Sequence, residues 1–261
     1  MISRSDEKLD EVKEKLLLQW PNRQIEVFQW EASHVEEGQG FQQKIADLKD
    51  KIREKDVGIL VNNVGMTENT FGWFSDLGTL DNRLLNEEEH VADLIKTIKT
   101  NCVFPSKLTA AIIPLLKSRD HKYSAIVNVS SILAHLPSPF NPIYGATKAY
   151  NRTFSRALTA EYAQKGIDVL CVSPGMVTSN LTGMKKGTWF CSTSRETAMY
   201  ALRAVGFAVE VFPHPIHGLT FVSVAVLNLL PQKLVTSSTA LFLRFLPKPP
   251  GINVSRDFRK Y

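Results

Sequence analysis

A serine, a tyrosine and a lysine of types that can exchange a proton with a carbonyl group lie in one short stretch of the sequence: Ser131, Tyr144 and Lys148. Tyr144 and Lys148 are four residues apart in a segment with helical apolar spacing, so both should lie on one helix face, one turn apart. A cation beside a phenol favours the phenolate, and we therefore expect Lys148 to lower the pKa of Tyr144. A serine hydroxyl beside that phenol is suited to hold a carbonyl oxygen, which predicts a site for carbonyl reduction or alcohol oxidation.

A strand and a helix must position these side chains. The apolar, β-rich residues at 125–129 predict a buried strand that ends at Ser131. A proline-rich loop follows, and then the helix of Tyr144 begins. We expect this helix to end near Lys165, because Gly166 is a residue typical of helix C-termini.

The same alternation of strands and helices continues along the rest of the chain. Further strands are predicted at 24–30, 57–61 and 168–172, the last two of them buried. Further helices are predicted at 5–20, 41–52, 87–116 and 194–205, the third with an interruption near Pro105. Alternating strands and helices indicate an α/β fold with a parallel sheet covered on both faces.

Composition limits the classes of function. The chain of 261 residues is 44% hydrophobic and 22% charged, which is ordinary for a globular protein with a sizeable core. The net charge of +5 suits an anionic cofactor or a phosphate-rich membrane surface, but no basic block indicates nucleic-acid binding. The cysteines show no metal-ligand spacing, and Cys102 and Cys171 lie in apolar stretches. We expect buried free thiols and no metal site.

Several ordered motifs resemble those of the short-chain dehydrogenase/reductase family. They are Ser131 with Tyr144 and Lys148, NNVG from Asn62, the asparagine of KTN, and SPGMVTS. The segments NNVGM, ISRSDEKL, FSRAL and EYAQKGIDV most resemble the 17β-hydroxysteroid dehydrogenase type 12 and very-long-chain 3-oxoacyl-CoA reductase group. The resemblance implies a doubly wound, Rossmann-like sheet and an NADP(H)-dependent ketone/alcohol oxidoreductase.

The resemblance also implies roles for the catalytic residues. Tyr144 would protonate the carbonyl oxygen, and Lys148 would lower its pKa and hydrogen-bond the nicotinamide ribose. Ser131 would orient and polarise the carbonyl. Asn101 would hold a water molecule in a proton relay behind the lysine.

Cofactor contacts are implied at several further positions. Asn62 and Gly65 follow the carboxyl end of a strand, where ligands bind in open α/β sheets, and glycine allows close approach of backbone to cofactor. Arg4 stands where the family places an arginine for a ribose 2′-phosphate, which favours NADP over NAD. The other implied contacts are Tyr144, Lys148, Pro174, Gly175 and Thr178.

A glycine-rich turn between a first strand and a first helix, which would hold the cofactor pyrophosphate, is not found near the start of the chain. By resemblance the chain begins at the family's second strand, so we expect an N-terminally incomplete fold. We favour truncation over a degenerate relative, because every downstream motif is intact. The chain as written is then expected to bind a nicotinamide cofactor poorly.

The C-terminal part is unusually apolar at 219–230 and 239–246, although neither segment has the ~20 residues that span a bilayer. We divide the chain into a catalytic domain, 1–215, and an apolar extension, 216–261. Two interpretations of the extension stay open: core packing with a homodimer face, or an apolar patch that faces substrate or a membrane surface.

The sequence is compatible with two functions. The first is reduction of a steroid or long-chain 3-oxoacyl-CoA ketone with NADP(H), and the alternative is a catalytically impaired remnant that binds a lipid or a protein partner. The group implies association with the cytosolic face of the endoplasmic reticulum membrane. A real truncation would instead imply a cytoplasmic protein.

Overall fold

The computed structural model describes residues 1–35, 39–71, 73–75, 79–80, 83–119, 123–227, 235, 241 and 253–254. The helices are α1 (Asp6–Gln19), α2 (Gln39–Lys51), α3 (Glu87–Ile98), α4 (Phe104–Lys117), α5 (Pro142–Tyr162), α6 (Ser194–Ala204) and α7 (Pro215–Leu227). The longer strands are β3 (Ile59–Asn62), β7 (Ser124–Val129) and β8 (Ile167–Val172). The two-residue strands are β1 (Ile2–Ser3), β2 (Phe28–Gln29), β4 (Thr70–Phe71), β5 (Thr79–Leu80), β6 (Arg83–Leu84), β9 (Met176–Val177), β10 (Cys191–Ser192), β11 (Glu210–Val211) and β12 (Asn253–Val254).

A four-stranded parallel sheet in the order β11-β8-β7-β3 carries the fold. Ile126 and Val127 of β7 are both buried although they point to opposite faces, which explains why consecutive residues of this strand are apolar. Helices cover both faces: α4 and α5 pack against Ile126, and α6 packs against Val127. The predicted α/β class with a doubly wound parallel sheet is therefore confirmed.

The sheet is less regular at β3 than the sequence predicts. The strand begins at Ile59 and not at Val57, and the side chains of Ile59 and Val61 are 53% and 51% exposed. Val61 pairs with Val127, yet the apolar cluster that covers Val127 includes no residue of β3. The predicted strand is therefore present from Ile59, but the prediction that it is buried is wrong.

Strands β1 and β2 form a parallel pair separate from the four-stranded sheet, with Ile2 opposite Phe28. The strand predicted at 24–30 is reduced to β2. Among the described residues, β3 pairs with β7 alone and no strand pairs with its other edge.

The long helical stretch predicted at 87–116 is interrupted as expected. Helix α3 ends at Ile98, a π-helical turn covers Lys99–Val103, and α4 continues with Pro105 in its first turn. Proline is tolerated there because the amide it lacks would have no partner within the helix. The π-turn, a feature frequent at functional sites, carries Asn101.

Other local predictions are confirmed. Ser5 caps α1 and accepts the backbone N–H of Lys8 at 3.3 Å. After α5, Gly166 takes the left-handed conformation with φ of 73°. The three cysteines are free and buried.

Helix α7 covers the start of the predicted apolar extension, and most residues after Leu227 lie outside the described part of the chain. Along the described ranges, no helix has both the length and the apolar character needed to span a bilayer. The division into domains at 215/216 stays a prediction.

Gly145 provides a test of how α5 packs on the loop before it. A Cβ atom at Gly145 would lie 2.5 Å from Ser138 Cβ, so Gly145→Ala should lower the free energy of unfolding by about 1–3 kcal/mol through overpacking. The measurement is urea unfolding. Gly40→Ala in α2 is the control, since nothing lies within 4 Å of its new methyl group and stability should hold or rise. Equal effects of the two substitutions would contradict this packing.

Candidate active site

Ser131 and Tyr144 meet where β7 ends and α5 begins. The Ser131 hydroxyl caps the 3₁₀ turn Ile132–His135 by accepting the backbone N–H of Leu133 at 3.2 Å. Its interaction with the Tyr144 hydroxyl acts to lower the pKa of the phenol. The structure therefore brings together the serine and tyrosine that the sequence predicts as neighbours.

Lys148 fastens α5 to the end of β7. Its Nζ donates to the carbonyl oxygen of Val129 at 3.0 Å, and the Ser130 hydroxyl donates to the carbonyl oxygen of Lys148 at 2.7 Å. The Nζ lies 5.6 Å from the centroid of the Tyr144 ring. Lys148 is only 3% exposed, and this desolvation lowers its pKa to about 8.

The expectation that Lys148 lowers the pKa of Tyr144 is wrong for this structure. Burial raises the pKa of Tyr144 to about 12, and the negative charge of Glu68 raises it further, against the opposing effect of Ser131. The physical reason is that desolvation of the phenol outweighs attraction to the ammonium, whose Nζ is bonded to the carbonyl of Val129. The phenol is therefore held in its protonated form at neutral pH.

Asn101 joins three parts of the site. It is fully buried, its Oδ1 accepts the backbone N–H of Met66 at 2.9 Å, and its Nδ2 donates to the Met66 carbonyl at 2.8 Å. The same Nδ2 donates to Thr147 Oγ1 at 2.9 Å, and Thr147 in turn donates to the Tyr144 carbonyl at 2.8 Å. The water-holding role of Asn101 stays a prediction.

Gly65 allows the NNVG loop to approach α5 closely. A Cβ atom there would lie 3.1 Å from Lys148 Nζ and 3.6 Å from Asn101 Oδ1. The tight approach predicted for Gly65 is thus seen toward Lys148, and its cofactor contact stays a prediction.

Asn62 is held inside the fold by its side chain. Its Nδ2 donates to Thr109 Oγ1 at 2.9 Å and to Asn128 Oδ1 at 2.8 Å, which uses both amide hydrogens. Asn128 donates onward to Ser155 Oγ at 2.9 Å. This buried chain of hydrogen bonds connects β3 to β7, α4 and α5. The cofactor contact of Asn62 stays a prediction, and it would have to use atoms other than the two amide hydrogens.

The loop after β8 lies beside Ser131. The Pro174 carbonyl accepts the backbone N–H of Ile132 at 2.9 Å, and a Cβ atom at Gly175 would lie 2.7 Å from His217 Cδ2. His217 Nε2 lies 3.1 Å from the carbonyl oxygen of Met176. His217 is therefore a support of this loop that the sequence motifs did not indicate.

The remaining predicted cofactor residues lie at strand ends. Thr178 follows β9, and its Oγ1 accepts the backbone N–H of Ser194 at 3.0 Å. Arg4 is exposed at the carboxyl end of β1, where its carbonyl accepts Gln29 Nε2 at 3.1 Å. Arg4 thus belongs to the separate β1–β2 pair.

Glu210 organises charged groups next to the site, and the sequence motifs did not indicate it. Its carboxylate accepts Ser173 Oγ at 2.8 Å and Arg152 Nε at 3.1 Å, and lies 2.9 Å from His135 Nε2. Desolvation opposes ionisation, but these hydrogen bonds and the nearby charges lower the pKa of Glu210 to about 2. Arg152, which lies one turn after Lys148 on α5, was a sequence signal for this cluster. Its partner Glu210 lies on β11, far away in the chain.

The family of the chain follows from comparison with known proteins. A sequence model described as short chain dehydrogenase matches residues 1–188. The chain belongs to the short-chain dehydrogenase/reductase family. Very-long-chain 3-oxoacyl-CoA reductases of Bos taurus and Homo sapiens are 31% and 30% identical over 223 and 219 residues. Each alignment covers 84% of this chain and 64% of the relative, so the chain spans less than two thirds of these reductases.

More distant similarity extends the comparison. A putative steroid dehydrogenase 2 of Caenorhabditis elegans is 27% identical over 241 residues, which cover 91% of this chain and 69% of the relative. A 7β-hydroxysteroid dehydrogenase structure has a TM-score of 0.67 at 20% identity, covering 85% of this chain and 79% of that one. An NADPH complex of a Sphingobium yanoikuyae short-chain dehydrogenase has a TM-score of 0.62 at 22% identity, covering 88% and 85%. At these identities the structures show a shared fold.

The Glu210 cluster gives a pH-dependent prediction. Because the folded-state pKa lies near 2 and the unfolded value near ~4.3, the stabilisation is present above about pH 4 and is lost as the pH falls toward 2. Glu210→Gln should therefore lower the free energy of unfolding by about 1–2 kcal/mol at pH 7, a modest value because the Glu210 side chain is still partly exposed to solvent.

The measurement is chemical unfolding of both proteins from pH 7 to pH 3, where the difference should narrow. Glu11→Gln is the control, since Glu11 pairs with Lys15 on the surface of α1 and little change is expected. A difference that stays constant with pH would contradict an ionised Glu210.

Proposed function

We propose that this chain is an NADP(H)-dependent oxidoreductase that interconverts a ketone and a secondary alcohol on a long-chain 3-oxoacyl-CoA or steroid substrate. The observation that carries the proposal is the convergence of Ser131, Tyr144, Lys148 and Asn101 at the carboxyl ends of β3 and β7. Ligands of open parallel sheets bind at this edge. Membership of the family supports the same assignment.

The side chains divide the proton chemistry between them. The hydroxyl groups of Ser131 and Tyr144 hold the carbonyl oxygen, and Tyr144 donates its proton to that oxygen in reduction. With its pKa raised to about 12, the phenol carries its proton at neutral pH, which is the form that an acid needs, but the raised pKa also makes it a weaker proton donor. Lys148, with a pKa near 8, is mostly protonated at pH 7 and stabilises the phenolate left behind.

The residues present fit the nicotinamide end of the cofactor. Gly65 lets the backbone of its loop approach Lys148 Nζ closely, and the backbone at Pro174 lies next to Ser131, where it bonds Ile132. A bound nicotinamide supplies hydride in reduction and accepts it in oxidation. Arg4 supports NADP over NAD through the attraction of its guanidinium to a 2′-phosphate.

The pyrophosphate end has a weaker fit within the described residues. Helix α1 follows β1 directly, and its first turn carries Asp6 and Glu7, whose charges repel phosphate at a helix N-terminus. This observation favours the second candidate function, a family member that binds a lipid or a protein partner without turnover. Titration with NADPH separates the two candidates, because only the oxidoreductase requires saturable binding.

The substrate class rests on the relatives and on α7. The relatives are named for 3-oxoacyl-CoA reduction and steroid dehydrogenation. Helix α7 contacts the 3₁₀ turn that follows Ser131, and it exposes Leu219, Val222 and Val226 on its surface. An exposed apolar surface on a helix that contacts this turn suits a hydrocarbon chain or a steroid ring system. The endoplasmic reticulum location, membrane contact and homodimer stay predictions.

Tyr144→Phe tests the acid directly. Reduction of a long-chain 3-oxoacyl-CoA, followed by loss of NADPH absorbance, should fall by about 10²–10⁴-fold while the Kd for NADPH changes little, because only one hydroxyl is removed. Tyr150→Phe is the matched control on the same helix, since its exposed hydroxyl bonds Ser106 at 2.8 Å and its activity should be retained. Equal activity of the two variants would refute the role of Tyr144.

Arg4→Asp tests the choice of cofactor. A carboxylate at this position repels the 2′-phosphate of NADPH and accepts a hydrogen bond from the 2′-hydroxyl of NADH, so the preference for NADPH should shrink or reverse. Arg23→Asp, also exposed near the N-terminus, is the control of equal charge change. Unchanged affinities for both cofactors in Arg4→Asp would remove the support for NADP.

A further inference from the structure

Glu68 is a buried carboxyl group at the start of the catalytic helix, and no motif of the family accounts for it. It is 2% exposed, and its Oε2 accepts the backbone N–H of Tyr144 at 3.1 Å. The backbone N–H of Ile143 also bonds to it. The first N–H groups of a helix lack intrahelical partners, so Glu68 satisfies two of them in α5 from outside the helix.

Asn141 completes this cap. It occupies the N-cap position of α5, but its side chain bonds no backbone N–H of the helix. With the amide oriented to satisfy both of its polar atoms, Nδ2 donates to Glu68 Oε1 at 2.6 Å and to Oε2 at 2.7 Å. Its Oδ1 accepts from Thr67 Oγ1 at 3.0 Å. Glu68 is thus the acceptor at the centre of the cap, and it lies on the loop that carries Gly65.

The electrostatic surroundings couple Glu68 to the phenol. Desolvation raises the pKa of Glu68 to about 7, the N–H groups of α5 oppose this shift, and Asp93 adds to it. The charge of Glu68 in turn raises the pKa of Tyr144. The charged and titratable groups around this pair come from α3 and α5: Asp93, with His90 and Lys96 beside it, and Lys148 beyond the Tyr144 ring.

We propose that Glu68 is a positioning residue for Tyr144: its carboxylate binds the Tyr144 amide and fixes the first turn of α5, and its negative charge, held beside the Tyr144 backbone, acts on the phenol. This inference rests on the proposed function in assigning acid–base chemistry to Tyr144. Above about pH 7 Glu68 is ionised and opposes the phenolate. Because alcohol oxidation needs the phenolate, the charge of Glu68 should move the onset of oxidation to higher pH.

The test is a direct titration of Tyr144 that needs neither cofactor nor turnover. Tyrosinate absorbance is followed against pH for the full chain, and the curve of the same protein carrying Tyr144→Phe is subtracted. Glu68→Gln should lower the midpoint of Tyr144 by at least about one pH unit, because at an effective dielectric of about 20 a unit charge about 12 Å away has an effect of that size and a nearer charge has a larger one. Glu68→Asp, which keeps the charge, should leave the midpoint near that of the wild type.

Glu196→Gln is the matched control for loss of a capping carboxylate. Glu196 caps α6 by accepting the backbone N–H of Thr193 at 2.9 Å, and it should affect thermal stability without moving the Tyr144 midpoint. If Glu68→Gln lowers stability and leaves the midpoint unchanged, Glu68 is a cap alone and the proposal is wrong. A shift of equal size in Glu196→Gln would also overturn it.

A second measurement needs no variant of Glu68. Carbon-13 NMR of the wild-type chain with labelled glutamate should show one carboxyl group titrating near pH 7, and Asn141→Ala should shift its midpoint upward, because a hydrogen bond to the charged form is lost. If Asn141→Ala moves no glutamate midpoint, the cap formed by Asn141 and Glu68 is wrong and the proposal loses its geometric basis. Since both titrations are independent of turnover, failure of the ketone assay would count against the proposed function and not against the role of Glu68.

In an active protein the same variant separates the two directions of reaction. The pH profile of alcohol oxidation should move to lower pH in Glu68→Gln by the same amount as the Tyr144 midpoint, while KM changes little. A uniform loss of rate at every pH would indicate a structural role only and would contradict the coupling.

Discussion

The hydrogen bond from Lys148 Nζ to the Val129 carbonyl is the interaction on which the site depends. It runs from a buried ammonium to the last residue of β7, and the Ser130 hydroxyl returns a bond to the Lys148 carbonyl. Together these bonds fix the first turns of α5 against the end of the strand. Ser131 lies just beyond this junction, so its hydroxyl and the Tyr144 phenol are held at a set distance by backbone as well as by side chains.

Burial around this junction has an electrostatic consequence. Desolvation disfavours the charged form of each group, so the pKa of Lys148 falls to about 8 while those of Tyr144 and Glu68 rise to about 12 and about 7. The outcome is a protonated phenol between a lysine that is mostly charged at neutral pH and a carboxyl group that titrates there. The phenol therefore carries its proton at neutral pH, which is the form that the proposed reduction requires.

Local sequence signals predicted the parts of this site that lie close together in the chain. The spacing of Tyr144 and Lys148, the end of the strand before Ser131 and the helix break near Asn101 needed only short-range rules of periodicity and capping. Glu68 and Glu210 were not predicted as parts of the site. Each lies more than fifty residues away in the chain from its partner on α5, and short-range patterns do not detect such pairs. The pKa direction of Tyr144 was predicted wrongly, because spacing identifies a neighbouring charge but gives no measure of burial. The exposure of Ile59 and Val61 was missed for the related reason that the covering of a strand face depends on tertiary packing.

A crystal structure of the chain with NADP⁺ and a long-chain ketone would show directly whether a carbonyl group binds between Ser131 and Tyr144. We predict that the ketone oxygen lies within hydrogen-bonding distance of both the Tyr144 hydroxyl and Ser131 Oγ, with the nicotinamide beside Lys148. A ketone bound away from these two hydroxyl groups, or a nicotinamide held at another edge of the sheet, would contradict this prediction.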